Sequence, residues 1–308
     1  MIVGQRELPG GVQEIVEIDR DRGVVGVLAG TWEEPGKKPK DPPTVWTPQA
    51  PKTLPDGTLM AYRCRPKDQF NINSDRVEVV IFDGPGGAPR VLPRPSTKAI
   101  FGKQNAISWL QHGHAAPTDR GTLIHAAVEL ETWWFLGWPV RKQWCVVETD
   151  LTGSPTGYRV ADRAEPSWTD RGLTTIDPSG TGRIITPTRV FDKATASIGS
   201  KSFGWFDPHL SPDGSKVVWL DVVTWAPVTS GLILGDLATG KIRYLVSPTT
   251  AMQTDAMWDN DAELIGSRFK DGCWRVGIIS VADGSFATIP NTENCTAIHN
   301  RRTSHVAA

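Results

Sequence analysis

The feature that most constrains this chain is an internal repeat of about 43 residues. Its clearest copy spans residues 206–247 and reads FDPHLSPDGSKVVWLDVVTWAPVTSGLILGDLATGKIRYLVS. A short strand ends near His209 and Leu210, the turn Pro212-Asp213-Gly214 follows, and 216–220 reads as a second strand. After a loop come an apolar strand over 231–235, a turn over 236–240 and an alternating strand over 241–246. Such a unit is four antiparallel strands, A to D, joined by turns whose left-handed positions suit Gly and Asn.

The landmarks of this unit recur along the chain. The A–B turn returns as Pro55-Asp56-Gly57, Thr118-Asp119-Arg120-Gly121, Thr169-Asp170-Arg171-Gly172, Pro212-Asp213-Gly214 and Asp259-Asn260-Asp261. The C–D turn is marked by Asp19, Asp83, Asp150, Asp192, Asp236 and Asp283. One landmark more of the second kind implies that one unit is divided between the chain ends. Residues 13–28 read as a C–D hairpin with no room for two strands before it, whereas 294–308 can supply two short strands around Asn300 and Arg301.

This reading predicts an all-β, six-bladed β-propeller of four-stranded antiparallel blades, a single domain over 1–308. The blades fall near 45–93, 105–160, 164–199, 205–247, 254–290, and 294–308 joined with 12–29. Pairing of N- and C-terminal strands closes the ring and leaves the sheets fewer free edges. Ile176-Asp177-Pro178-Ser179-Gly180 is a competing turn. Placed at the end of a B strand, it leaves 183–191 as a C strand.

Leu210-Ser211-Pro212-Asp213-Gly214, followed by Val217-Val218-Trp219, has weaker copies at Leu54-Pro55-Asp56-Gly57 and Pro166-Ser167-Trp168. This motif resembles the TolB-like, WD-type β-propeller repeat family. The resemblance implies a propeller with interaction duty. It does not imply the periplasmic role, because neither an export signal nor a separate N-terminal domain is read in this sequence.

Charge and composition narrow the partners. With 33 basic against 34 acidic side chains and no basic block, the chain lacks the electrostatic footprint of a nucleic-acid binder. No stretch approaches the roughly 18 apolar residues of a membrane span, and 1–11 has no signal-peptide core. The expected setting is therefore the cytoplasm or an assembled particle, without membrane insertion. Cys64, Cys145, Cys273 and Cys295 share no CxxC spacing and read as free thiols rather than a zinc site or disulfide framework.

In an up-and-down blade the A–B and C–D turns share one end, while the B–C loops and the blade-to-blade connections share the other. The second end gathers the segments that read as long loops: 31–53, 65–76, 93–105, 129–143, 221–230 and 267–274. These are rich in aromatic residues, and large rigid side chains with Arg are the usual anchors of interfaces. The expected partner-binding residues are Phe70, Trp133, Trp134, Phe135, Trp138, Arg141, Trp225 and Trp274. The leading expectation is a non-enzymatic scaffold that takes a protein partner or neighbouring subunits of an assembly such as a phage tail, without a cofactor.

Two alternatives use the same frame. One is a metal-dependent propeller hydrolase of the lactonase or esterase type, with a divalent cation held by Asn105, Glu165, Asp207 and Asp255 where A strands begin. The other is carbohydrate binding on stacked Trp. Gln111-His112-Gly113-His114 falls in an A–B connection and reads as turn histidines rather than a metal pair. No GxSxG elbow, HExxH motif or phosphate-binding loop occurs.

Overall fold

A computed structural model describes the chain except residues 37, 55, 66–77, 94–105, 118–120, 133–138, 162–164, 170–171, 177–181, 226–227, 250–252 and 301–308; for 106–117, 124–146, 158–176 and a few other strand positions it describes the backbone alone. In chain order the strands are β1 (Ile2–Leu8), β2 (Val12–Asp19), β3 (Gly23–Ala29), β4 (Trp32–Glu34), β5 (Thr44–Thr53), β6 (Leu59–Cys64), β7 (Glu78–Phe82) and β8 (Pro89–Val91). They continue with β9 (Ala106–Pro117), β10 (Leu123–Thr132), β11 (Pro139–Thr149), β12 (Pro155–Ala161), β13 (Glu165–Thr169), β14 (Gly172–Ile176), β15 (Arg183–Ile185) and β16 (Val190–Asp192). The last are β17 (Gly204–Leu210), β18 (Lys216–Trp225), β19 (Val228–Asp236), β20 (Ile242–Thr249), β21 (Gln253–Asn260), β22 (Glu263–Lys270), β23 (Cys273–Ser280), β24 (Phe286–Thr288) and β25 (Cys295–Asn300). Among the described residues the helical content is a single 3-10 turn, Lys193–Thr195.

These strands form six sheets, all antiparallel. Five follow chain order: β4-β5-β6-β7-β8, β9 to β12, β13 to β16, β17 to β20, and β21 to β24. The sixth is β25-β1-β2-β3 and so joins the two ends of the chain.

Central strands whose side chains are described bury residues on both faces, because alternate residues point to opposite sides and each side meets a different sheet. In β6 all six residues are buried. Leu59 and Ala61 enter a core shared with Val3, Ile15 and Leu28 of the terminal sheet. Met60 and Tyr62 enter another, shared with Leu123 of β10. The alternation repeats in β18, where Val217 and Trp219 pack with Ile184 and Phe191 of the preceding sheet. Val218 packs instead with Ala256, Trp258 and Leu264 of the following one. A further core joins Met257, Ile265 and Val276 to Ile2, Val16 and Cys295. Where side chains are not described, β9 and β13 still lie side by side. Consecutive sheets therefore pack face to face, and the terminal sheet packs on both the fifth and the first.

Like ends of the strands lie together. The Asp213 N–H in one A–B turn donates to Asp261 Oδ1 in the next at 3.0 Å. Arg20, in the β2–β3 turn, pairs with Asp259 and Glu263 beside the β21–β22 turn at 2.9 and 2.7 Å. At the opposite end, the Gln13 N–H donates to Thr47 Oγ1 at 2.8 Å.

Several expectations are corrected. The terminal sheet takes three strands from the N-terminus and one from the C-terminal residues described, not two from each. Ile2–Leu8 lacks strand alternation, but β2 and β25 pair with it on both sides. A Cβ at Gly4 would lie 2.7 Å from Ile18 and 2.9 Å from the Thr296 carbonyl. This division leaves the terminal sheet without an A–B turn, since its A–B connection is the break between the chain ends. The expected C strand over 183–191 is two short strands, β15 and β16, joined by a turn in which the Thr186 N–H donates to the Arg189 carbonyl at 2.8 Å. Asp192 therefore marks no C–D turn. It ends the D strand, accepts the Ala194 N–H at 2.9 Å and pairs with Arg183 at 2.8 Å.

His112 and His114 lie within β9, not in a connection. The β9–β10 register shifts between Ile124 and Ala126, so 112–115 form a bulge against the neighbouring strand. The segment 31–53 is mostly strand, and its β4 adds a fifth strand to the first sheet. Segments 129–143, 221–230 and 267–274 are also largely strand, extending as hairpins past the apolar stretches that marked their cores.

Candidate functional site

The B–C hairpins and the connections between sheets carry the aromatic residues that the structure leaves accessible. The β22–β23 hairpin is the best defined. Asp271 and Gly272 take φ of 53° and 81°, the paired left-handed values of the tight turn that suits a twisted hairpin. This turn sets Phe269 directly opposite Trp274, with ring centroids 5.4 Å apart and planes at 65°. Phe269 is 39% exposed. Aromatic pairs across two strands stabilise a hairpin by about 0.5–1 kcal/mol, so this tip holds its aromatic surface in place without being buried.

A second cluster stands on the first sheet. Arg63 of β6 lies between Glu34 of β4 and Glu78 of β7, each at 2.5 Å. Its guanidinium sits 4.2 Å from the centroid of the Trp46 ring, and that of Arg65 sits 5.8 Å away. The Trp46 indole N–H donates to Glu34 Oε2 at 3.0 Å. One planar cation thus meets two carboxylates and an aromatic face at once, an arrangement suited to guanidinium and not to a point-charge ammonium. The added strand β4 is what brings Glu34 there.

A third pair lies where the chain enters β17. Phe203 and Phe206 stack with centroids 6.5 Å apart, and Phe203 is 58% exposed. Sequence reasoning did not single out Phe203, because it sits outside the segments that read as long loops. Its signal was an aromatic residue before Gly204 at a connection between repeats.

Of the expected partner-binding residues, Trp274 is described in full: it is half-buried and packs against the exposed Phe269. Trp133, Trp134, Phe135, Trp138 and Phe70 lie outside the described residues, the first four between β10 and β11 in sequence. Arg141 and Trp225 have their backbones in β11 and β18, and their side chains are outside the description. Of the metal alternative, Asn105 lies outside the described residues, and Glu165, Asp207 and Asp255 have their backbones in β13, β17 and β21, the first strands of their sheets. Among the described residues no three His, Cys, Asp or Glu side chains cluster as a metal site.

One buried acid stands apart from these surfaces. Asp221 is fully buried and accepts the Tyr244 hydroxyl at 2.7 Å through Oδ2, while its Oδ1 has no hydrogen-bond partner. Burial pushes its carboxyl above the usual carboxylate range, and the hydrogen bond from the Tyr244 hydroxyl offsets this in part. Among the thiols, Cys64 and Cys295 are buried and Cys273 is half-buried; burial pushes Cys295 up to about 11. Among the described residues no helix is long and apolar enough to cross a membrane.

No family model matches the chain, and no curated protein matches it by sequence. Similar solved structures include a TolB protein from Agrobacterium tumefaciens, 11% identical over 80% of this chain and 82% of that one, with a TM-score of 0.47. The nidogen/laminin complex is 12% identical over 94% and 92%, at 0.48. The tricorn protease is 10% identical over 94% of this chain and 34% of its own, at 0.50. At 10% identity and a TM-score of 0.50, the likeness to the tricorn protease concerns fold and not activity. The chain is an antiparallel all-β protein of propeller-like fold.

Proposed function

We propose that the chain is a closed six-bladed propeller whose B–C face binds a protein partner, either a separate protein or a neighbouring subunit of an assembly. Closure is supported by the pairing of β1 with β25 and by the succession of shared cores that returns from the terminal sheet to the first. In this reading the rigid sheets hold the aromatic hairpins in a fixed array, and rigid presentation lowers the entropic cost of association.

The observation that carries the proposal is the Phe269–Trp274 pair, held at a hairpin tip and still accessible. Trp133, Trp134 and Trp138, which fall in sequence between strands β10 and β11, are included in the same proposed surface. The test immobilises the full chain and compares what it retains from native lysate with what is retained by Phe269→Ser/Trp274→Ser and by Trp133→Ser/Trp134→Ser/Trp138→Ser. The proposal expects a discrete partner to be lost from both variants while their melting temperatures stay within a few degrees of the parent. Retention of the same partner by both variants contradicts it, as does cooperative loss of folding in both.

A further inference from the structure

We infer that the groove between the β17–β20 sheet and the β21–β24 sheet, at the end bearing the A–B and C–D turns, binds an amphiphilic organic anion. The groove has a volume of about 910 Å³, within the range of small-molecule sites. Leu234, Ile242, Val281 and Ala282 supply an apolar floor, and Lys216 and Lys241 stand on its rim. It lies at the opposite end of the strands from the aromatic hairpins and does not depend on what those bind.

Charge selects the ligand. The acidic residues at the groove already hold donors. Asp236 Oδ1 accepts the Thr239 N–H and hydroxyl at 2.7 and 2.8 Å. Asp261 accepts the Asp213 N–H, and Glu263 accepts from Arg20 at 2.7 Å and from Asn260 at 2.9 Å. Arg243 Nη2 donates to the Val281 and Ala282 carbonyls at 2.5 and 3.3 Å, which ties its guanidinium to the neighbouring turn. The two lysines are committed differently. Lys216 reaches the Ser215 hydroxyl at 3.2 Å and helps through space to hold Asp236 ionised. Lys241 makes no ion pair with a described carboxylate and is exposed at the start of the outer strand. An acid group arriving at the rim therefore meets the Lys241 ammonium, with the Lys216 charge beside it, while its hydrocarbon body lies on the floor. A neutral ligand of the same body gains the floor alone, and a small anion gains the rim alone.

The test titrates the full chain with octanoate, 1-octanol and acetate and follows backbone amide shifts by NMR. Octanoate is expected to give saturable shifts centred on Thr239, Ile242 and Ala282, with octanol and acetate weaker by about tenfold or more. Lys216→Gln/Lys241→Gln, which removes both charges without setting a carboxylate opposite Asp236, should weaken octanoate binding by about tenfold or more while the melting temperature stays within a few degrees of the parent. The inference is overturned if octanoate leaves those amides unmoved, if octanol matches it, or if the folded double variant binds it as the parent does.

Discussion

Arg243 Nη2 donates to the Val281 carbonyl at 2.5 Å, so the outer strand of one sheet grips the C–D turn of the next. The same joint recurs at two other junctions. Arg189 donates to the Leu237 and Ala238 carbonyls at 2.8 and 3.0 Å, and Arg90 donates to the Leu151 carbonyl at 2.8 Å. Glycines of these turns make the close approach feasible: a Cβ at Gly284, whose φ is 74°, would lie 1.8 Å from the Leu245 carbonyl. Because the donor is charged and the site partly solvated, Arg243→Ala should lower stability by about 1–2 kcal/mol. Urea unfolding at neutral pH checks this, and a change within error would show the joint to be passive.

Arg63 invites a larger effect. Its side chain is 11% exposed and bound to two carboxylates that are each about one-third exposed. Breaking a fully buried ion pair costs roughly 3–5 kcal/mol. Since Glu34 and Glu78 keep some solvent, Arg63→Met should cost about 2 kcal/mol, read by denaturant unfolding. Arg63→Lys should recover only part of the loss, because an ammonium cannot engage both carboxylates and the Trp46 face in one plane.

The acid side of the stability curve should separate two aspartates. The Ser211 hydroxyl, then the Ser215 hydroxyl and N–H, hold the Asp213 carboxyl well below the usual carboxylate range. A lowered folded value gives stability that is present above the unfolded value, about 3.9, and is lost as pH falls through the folded one. Asp221 is raised by burial, so its contribution is present below the unfolded value and is lost as pH rises through the folded one. Melting temperatures between pH 3 and 7 should therefore show Asp213→Asn less stable than the parent at pH 7, with the gap narrowing below about pH 4. Asp221→Asn should be as stable as the parent or more so at pH 7, with its advantage gone at acid pH. Parallel curves for the two variants would contradict both assignments.

Much of this architecture was legible in the sequence because its turns are local. Asp19, Asp150, Asp236 and Asp283 accept N–H groups two to four residues ahead, and side-chain capping of this kind leaves a mark at fixed spacing. Asp192 carried the same mark but caps a 3-10 turn, since one aspartate serves either geometry. Strand β1 was not legible: its partners are the adjacent β2 and a strand nearly 300 residues away, and Gly4, Gln5 and Arg6 show no apolar alternation. The recurring Arg joints were hidden too, because they depend on which sheets become neighbours. At the aromatic face Trp274 was legible by residue type, whereas the Arg63–Trp46 cluster needed β4, a three-residue strand in a segment that reads as loop.

The central claim is that the two ends of the chain complete one sheet. The Glu7 N–H donates to the Asn294 carbonyl at 3.0 Å, so this amide reports on the junction between the termini and not on the β1–β2 hairpin. Native-state hydrogen exchange at Glu7 is the direct measurement. The account predicts that it exchanges slowly, with an opening free energy close to that of the β2 core amides at Val16 and Ile18. Exchange at the rate of an open strand edge, with Val16 and Ile18 still protected, would contradict it.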